Sequence, residues 1–299
     1  MQDLLVSIVI CTYQDERYGD FVEAVNSLNS QSYRNVEIVA VVDGNRELYE
    51  RITGDGVEVD RIILNRENLG LSASRNRGIK EANGDIIAFF DDDAIADREW
   101  VEELVRTYEE RGAMAVGGRI LPLWVAEKPR FLPEECYWLI GATYRGFPEE
   151  MTEVRNTFGS NISFKADVIR ELGGFKREMG VRGKYLLQGE ETELCERMRA
   201  RFGCGIIYNP DAVVYHKVFA ERLKIGFLLR RSFWQGYSKW MMKKMGYSVK
   251  EESGFLRYLL LKSTIEKLKK AKLMELAFIV ICTSVVGLGY LSGFFTSNR

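Results

Sequence analysis

A chain of 299 residues, 46% apolar and 28% charged, is long enough for one large domain or two smaller ones and too apolar to be disordered. Its formal net charge of −1, with no arginine-rich stripe in the first two thirds, excludes a dedicated nucleic-acid binder. Five cysteines, Cys11, Cys136, Cys195, Cys204 and Cys282, form no CxxC pair and fit reduced thiols in a cytoplasmic setting rather than a disulfide or zinc framework.

The opening run "LLVSIVIC" reads as a strand and not a signal peptide, because Asp3 interrupts it and no basic residue leads it. "DFVEAVNSLNSQ" has helical spacing, "VEIVAVVD" is a strand, "RELYERITG" a short helix and "VDRIILN" a strand. "LSASRNRGIKEANG" reads as a helix ending on a glycine cap, "DIIAFFDDD" as a strand and "REWVEELVRTYEERG" as a helix. These strands are continuously apolar, as expected when helices cover both faces of a sheet. The pattern predicts a doubly wound, mostly parallel α/β domain with its ligand at the carboxyl ends of the strands. Those ends are "CTY", "VDGN", "NRENLG" and "DDD", all polar. Neither GxGxxG nor GxxxxGK[ST] is present, so a dinucleotide fold and a P-loop are both unsupported.

Beyond residue 120 the pattern loosens. "LPLWVAEKPRFLPEECYWLIGATYRGF" holds three prolines and many aromatics and predicts a loop-rich wall. "GSNISFKADVIRELGGF" returns to strand and helix, "GEETELCERMRARFG" is a helix with an acidic first turn, and "GIIYNPDAVVYHKV" reads as two short strands. From Phe219 to Met245 and from Gly254 to Lys270, basic and aromatic residues alternate at helical spacing. Helices lying on a membrane surface fit this pattern, as do ordinary helices packed on the domain. From Leu276 to Phe295 there are 20 residues without charge. At about 1.5 Å per residue they suffice to cross a hydrocarbon core of about 30 Å. Lys262, Lys267, Lys269, Lys270 and Lys272 precede them and favour a membrane span over a buried core helix, with the domain cytoplasmic and the tail "TSNR" outside.

Three aspartates ending a buried strand repel one another and resist leaving water. A hard divalent cation, Mg2+ or Mn2+, resolves this when it shares its coordination sphere with substrate phosphates. A solvated acidic loop is the plainer alternative. His216, the single histidine, ends an apolar strand, where it is either structural or a third ligand. Glu190 and Glu191 open a helix, where they either complement its dipole or supply a general base.

In this order, "SIVICTY", "VVDGN", "NLGLSASRNRGI", "GDIIAFFDDDA", "GSNISF…GGF" and "GEETEL" resemble the family 2 glycosyltransferases of GT-A fold, over about residues 4–218. With "EVRNTFGSNISF", "RSFWQGYSK" and the single C-terminal span, the chain also looks like the archaeal dolichyl-phosphate-linked members that assemble S-layer N-glycans. The resemblance implies that Thr12, Tyr13 and Asp43 hold the base of a UDP-sugar and that Arg75 approaches its diphosphate. It implies that Asp91 and Asp93 are the DxD pair, with Asp91 and Asp92 on the nucleotide-sugar and Asp91, Asp93 and His216 on the cation. Glu191 falls where the family has an aspartate base, with Glu190 beside it as the other candidate. Asn161 is implied on the sugar or acceptor side, and Arg230, Arg231 and Trp234 near a lipid phosphate.

The expected reaction is metal-dependent, inverting transfer of a sugar, with glucuronate from UDP-glucuronate as the leading donor, onto a dolichyl-phosphate-linked sugar. Arg145 and Arg155 are candidates for pairing a uronate carboxylate. A polyprenyl-phosphate monosaccharide synthase and a surface-polysaccharide transferase are the rival enzymes, and a non-catalytic sugar-nucleotide-binding membrane partner is the rival of another class. The expected organisation is a glycosyltransferase domain over 1–218, with a nucleotide half to about 120 and an acceptor half over 121–218. Membrane-surface helices follow over 219–272 and a membrane span over 273–295.

Overall fold

The structure, a computed structural model, describes residues 3–179, 187, 189–248 and 250–296, without the side chains of 250–253 and 296. Gln188 of the "QGEET" segment and tail residues 297–299, expected outside the membrane, lie outside the described residues. The chain divides into two compact units. One is built mainly of Met1–Leu121, Glu149–Gly180 and Glu190–Lys217, the other mainly of Pro122–Pro148 and Val218–Arg299.

The first unit carries β1 (Val6–Thr12), α1 (Tyr18–Asn29), β2 (Val36–Asp43), α2 (Arg46–Gly54), β3 (Arg61–Asn65), α3 (Leu71–Glu81) and β4 (Ile86–Asp91). It continues through β5 (Ala94–Ala96), α4 (Trp100–Arg111), β6 (Ala115–Trp124), β7 (Thr152–Val154), β8 (Ile162–Lys165), α5 (Ala166–Glu171), α6 (Glu190–Phe202) and β9 (Ile206–Val218). The sheet order is β3-β2-β1-β4-β8-β6-β9-β5, with β7 on β9. The first four strands are parallel: Val6 faces both Val36 and Ile86, and Val39 faces Arg61. β8 then joins β4 antiparallel, Phe89 opposite Ile162, so the parallel run is confined to the N-terminal part of a mixed sheet.

Successive side chains of each central strand enter opposite cores. Ile8, Ile10, Ile38, Ala40, Ile86 and Phe90 pack with Phe21, Val25 and Leu28 of α1 and Trp100 and Leu104 of α4. Val9, Val39, Ile87 and Phe89 pack with Ile79 of α3, Ile169 of α5 and Leu194 and Met198 of α6. Burial on both faces removes any polar alternation from the sequence, and each such side chain contributes roughly 1.5–3 kcal/mol. Two local expectations are corrected. α3 stops at Glu81 with Ala82 already extended, so no glycine caps it. Residues 206–218 form one continuous strand rather than two, because β7 and β5 both pair along β9 and hold it straight through Pro210.

The second unit contains a 3-10 stretch Glu134–Ile140, α7 (Ala220–Leu223), α8 (Ile225–Lys244), α9 (Lys250–Tyr258), a π-helical turn Leu259–Ser263, α10 (Thr264–Lys269) and α11 (Leu273–Thr296). α8 and α11 run parallel in close contact. A Cβ on Gly236 would come 1.9 Å from the Val286 carbonyl, and one on Gly289 equally near that of Phe233. Small residues thus let the two backbones touch, and Trp240 closes the seam against Phe294. α11 includes the one described helix long and apolar enough to cross a membrane, Leu273–Phe295. On α9, the π-turn and α10, Leu256, Leu260, Leu261, Ile265 and Leu268 are exposed at 39–58%.

Candidate active site

The parallel strands β1, β2, β3 and β4 deliver Thr12, Asp43, Asn65 and Asp91 to one edge of the sheet. From Asp91 the chain turns through Asp92 and Asp93 into β5, which pairs antiparallel with β9 so that Ala94 lies opposite His216. The Lys217 amide donates to the Asp93 carbonyl at 2.9 Å and locks that register. His216 Nε2 therefore stands 3.2 Å from Asp93 Oδ1 and 3.9 Å from Asp91 Oδ2. One ligating atom from each of Asp91, Asp93 and His216 falls within 4.8 Å of the others. Two carboxylates and an imidazole suit Mn2+ or Mg2+ with positions left over for phosphate oxygens, so the donor set fits a divalent cation.

The acids are not left bare. Arg75, projecting from α3 and 2% exposed, donates to Glu191 Oε1 at 3.0 Å and to Asp91 Oδ1 at 3.2 Å. Its guanidinium lies 5.4 Å from the Phe175 ring centre and 5.9 Å from that of Phe89. Burial alone would ease its proton off, but Glu191 and Asp91 hold it more firmly charged than usual. Gly159 roofs this pair: a Cβ there would meet Glu191 Oε1 at 2.2 Å and Arg75 Nη2 at 2.3 Å. Arg17, from a single 3-10 turn Asp15–Arg17, donates to Asp93 and lies 3.8 Å from Asp92. Burial and the neighbouring Asp93 charge push Asp92 up to about 7, against the opposing pull of Thr12 and Arg17. Burial drives the Cys11 thiol at the end of β1 up to about 12, so no thiolate nucleophile is available there.

Several expected residues sit differently. Asp43 is 6% exposed and accepts from Asn65 Nδ2 at 2.9 Å and from the Leu69 and Gly70 amides at 3.0 and 2.9 Å, so its carboxylate shapes the loop after β3. Thr12 is buried below that edge, and Tyr13 is exposed. Asn161 is a correction. It is fully buried, accepts from Trp100 Nε1 at 2.9 Å and donates to the Arg119 and Ala212 carbonyls at 3.0 and 2.8 Å, so it ties strands together and presents nothing to an acceptor. Arg155 is buried and paired with Glu196, whereas Arg145, paired with Glu266, keeps 40% of its side-chain surface. Arg230, Arg231 and Trp234 lie on α8 in the second unit, Arg230 exposed and the other two partly so. Glu190 and Glu191 open α6, and only Glu191 holds Arg75 in hydrogen-bond contact. Arg17 and Gly159 were missed by sequence reasoning. Arg17 hides in the polar string "QDER", and Gly159 is marked only by its place in "GSN".

Residues 7–173 match the family described as Glycosyl transferase family 2. The chain is 44% identical to the glucosyl-dolichyl phosphate glucuronosyltransferase of Haloferax volcanii, over 98% of this chain and 97% of that one. It is 24% identical to the succinoglycan biosynthesis protein ExoM of Rhizobium meliloti, over 79% of this chain and 74% of that one. Among solved structures, a mannosyltransferase from Pyrobaculum calidifontis in complex with GDP-Man and Mn2+ superposes with a TM-score of 0.60 at 15% identity, covering 96% of this chain and 87% of that one. That likeness is one of fold.

Proposed function

The chain belongs to the family 2 glycosyltransferases, and on that premise we propose that it moves glucuronate from UDP-glucuronate onto the sugar of a dolichyl-phosphate-linked acceptor, inverting the anomeric centre. That it is a glycosyltransferase follows from the family; the donor, acceptor, cation and residue roles are the proposal. The observation that carries it is the convergence of Asp91, Asp93 and His216 beside the Arg75–Glu191 pair at the carboxyl edge of the parallel strands. The near-full-length relative supports the choice of donor and acceptor.

Asp91, Asp93 and His216 would hold the cation, which when bound supplies positive charge to a departing nucleoside diphosphate. Arg75 offers a rigid fork, already oriented by two carboxylates, to the same phosphates. Glu191 is the base: its carboxylate, oriented by Arg75 through Oε1, takes the proton of an acceptor hydroxyl. Gly159 lets the backbone pass close against both side chains without displacing them. A single displacement then suffices, with no covalent enzyme intermediate.

The second unit would hold the catalytic unit to the cytoplasmic face through α11. Lys269, Lys270 and Lys272 precede it, and its outer face shows Val280, Ile281, Leu288, Leu291 and Phe295 to the surroundings. Because α8 is packed parallel along α11, its basic residues are spread along that helix, from Arg230 and Arg231 to Lys243 over the Tyr290 ring, rather than grouped beside Lys269–Lys272. The exposed leucine stripe of α9 and α10 would rest at the membrane surface.

The test is a donor screen on purified protein with Mn2+ or Mg2+, offering dolichyl phosphate and its glucosylated form. Glucuronate transfer to the glucosylated lipid alone is expected. Transfer to bare dolichyl phosphate would instead make the protein a monosaccharide synthase.

A further inference from the structure

Arg17 lies outside every motif that suggested the site, yet it occupies the place where a cation's charge is needed. Asp93 is 2% exposed and spends one oxygen on His216 and the other on Arg17. The second site arginine cannot take that part: the Arg75 side chain is buried, with one nitrogen on Glu191 and another on Asp91. Arg17 is less enclosed. Its side chain keeps 26% of its surface, and the turn Asp15–Arg17 that carries it has no side-chain cap and buries no residue. One end of this ion pair sits in the β4–β5 turn, tied to β9 through the Lys217 amide, and the other hangs on a surface turn.

We propose that Arg17 stands in for the divalent cation on Asp93 and makes cation binding conditional on the donor's diphosphate. The inference rests on the reading of Asp91, Asp93 and His216 as the cation site. A doubly charged ion and a guanidinium on one carboxylate repel each other strongly in a partly buried setting. Alone, the ion must evict Arg17 from its carboxylate partner. Arriving with a diphosphate, it brings negative oxygens that receive the displaced guanidinium, for which a planar fork is well matched. Arg17 thereby passes from Asp93 to the donor, and the site fills with cation and nucleotide together or not at all.

The measurement is Mn2+ titration by electron paramagnetic resonance on the purified full chain in detergent, with and without UDP, for wild type, Arg17→Gln and Asp93→Asn. Without nucleotide, Arg17→Gln is expected to bind Mn2+ roughly ten-fold more tightly than wild type, because a competing charge is gone. With saturating UDP the two should agree within about three-fold, since the diphosphate has relieved the competition. Arg17→Met, which keeps the aliphatic stem, replaces the glutamine variant if the latter does not fold. Equal affinity of wild type and the neutral variant without nucleotide overturns the inference and leaves the cation site standing. So does wild type binding Mn2+ alone as tightly as with UDP. If wild type binds no Mn2+ even with UDP, or Asp93→Asn binds as wild type does, the cation-site reading itself falls.

Discussion

Each unit buries a cluster of charge, and the two clusters are built on opposite plans. In the second unit Glu135 is fully buried and meets Lys267 at 2.9 Å and the Ser263 hydroxyl at 2.8 Å. Lys267 also meets Glu275 at 2.5 Å, and Lys272 meets the other oxygen of Glu275 at 2.8 Å. Burial would lower the Lys267 pKa, but the bonds to Glu275 and Glu135 raise it. Two glutamates face two lysines, so the charge is balanced. In the first unit Asp91, Asp92, Asp93 and Glu191 outnumber the two arginines that the described residues place against them, Arg17 and Arg75, and His216 stands beside Asp91 and Asp93. Asp91 keeps 29% of its side-chain surface and Glu191 17%. Charge balance around the nearly fully buried Glu135–Lys267 pair suits a structural role; an excess of acid with Asp91 still part-exposed suits the ligand site proposed above.

Mutations that break the contrast should separate the two cleanly. Asp93→Ala strikes the open cluster hardest. Turnover should fall by at least roughly 10³-fold, as expected when a charge stabilising the leaving group loses its anchor, while the unfolding temperature changes little. Glu191→Gln should lose roughly 10²–10³-fold in turnover and keep UDP affinity within a few-fold, measured by calorimetry. An equal loss in Glu190→Gln with none in Glu191→Gln would move the base by one position. Gly159→Ala pushes a methyl into the Arg75–Glu191 pair and should cost roughly 10²-fold in turnover through misplacement.

Lys267→Met gives the reverse signature. It strands Glu135 in a buried site and should reduce stability by about 3–5 kcal/mol, with turnover per folded molecule nearly unchanged. Adding Glu135→Gln should restore most of that loss in thermal unfolding; failure to do so would deny the pair its stabilising role. The floor of the comparison is the exposed pair Arg46–Glu50, 3.0 Å apart on α2, where Arg46→Ala should change stability by less than about 0.5 kcal/mol.

The sequence by itself determined the alternation of strands and helices to residue 120, the polar edge where β1 to β4 end, and the apolar length of α11. Each is written locally, because a strand buried on both faces must be apolar wherever its neighbours lie and the length of an uncharged run is read directly from the residues. The aspartate run announced unbalanced charge in the same direct way. Only the tertiary structure decided what meets that charge. Pairing of β5 with β9 brings His216 to Asp93, α3 and α6 set Arg75 on Glu191, and a short surface turn aims Arg17 at Asp93. It likewise withdrew Asn161 into the sheet and laid α8 along α11. Such partnerships depend on strand register and on packing between distant segments, and neither leaves a period in the chain for a reader to find.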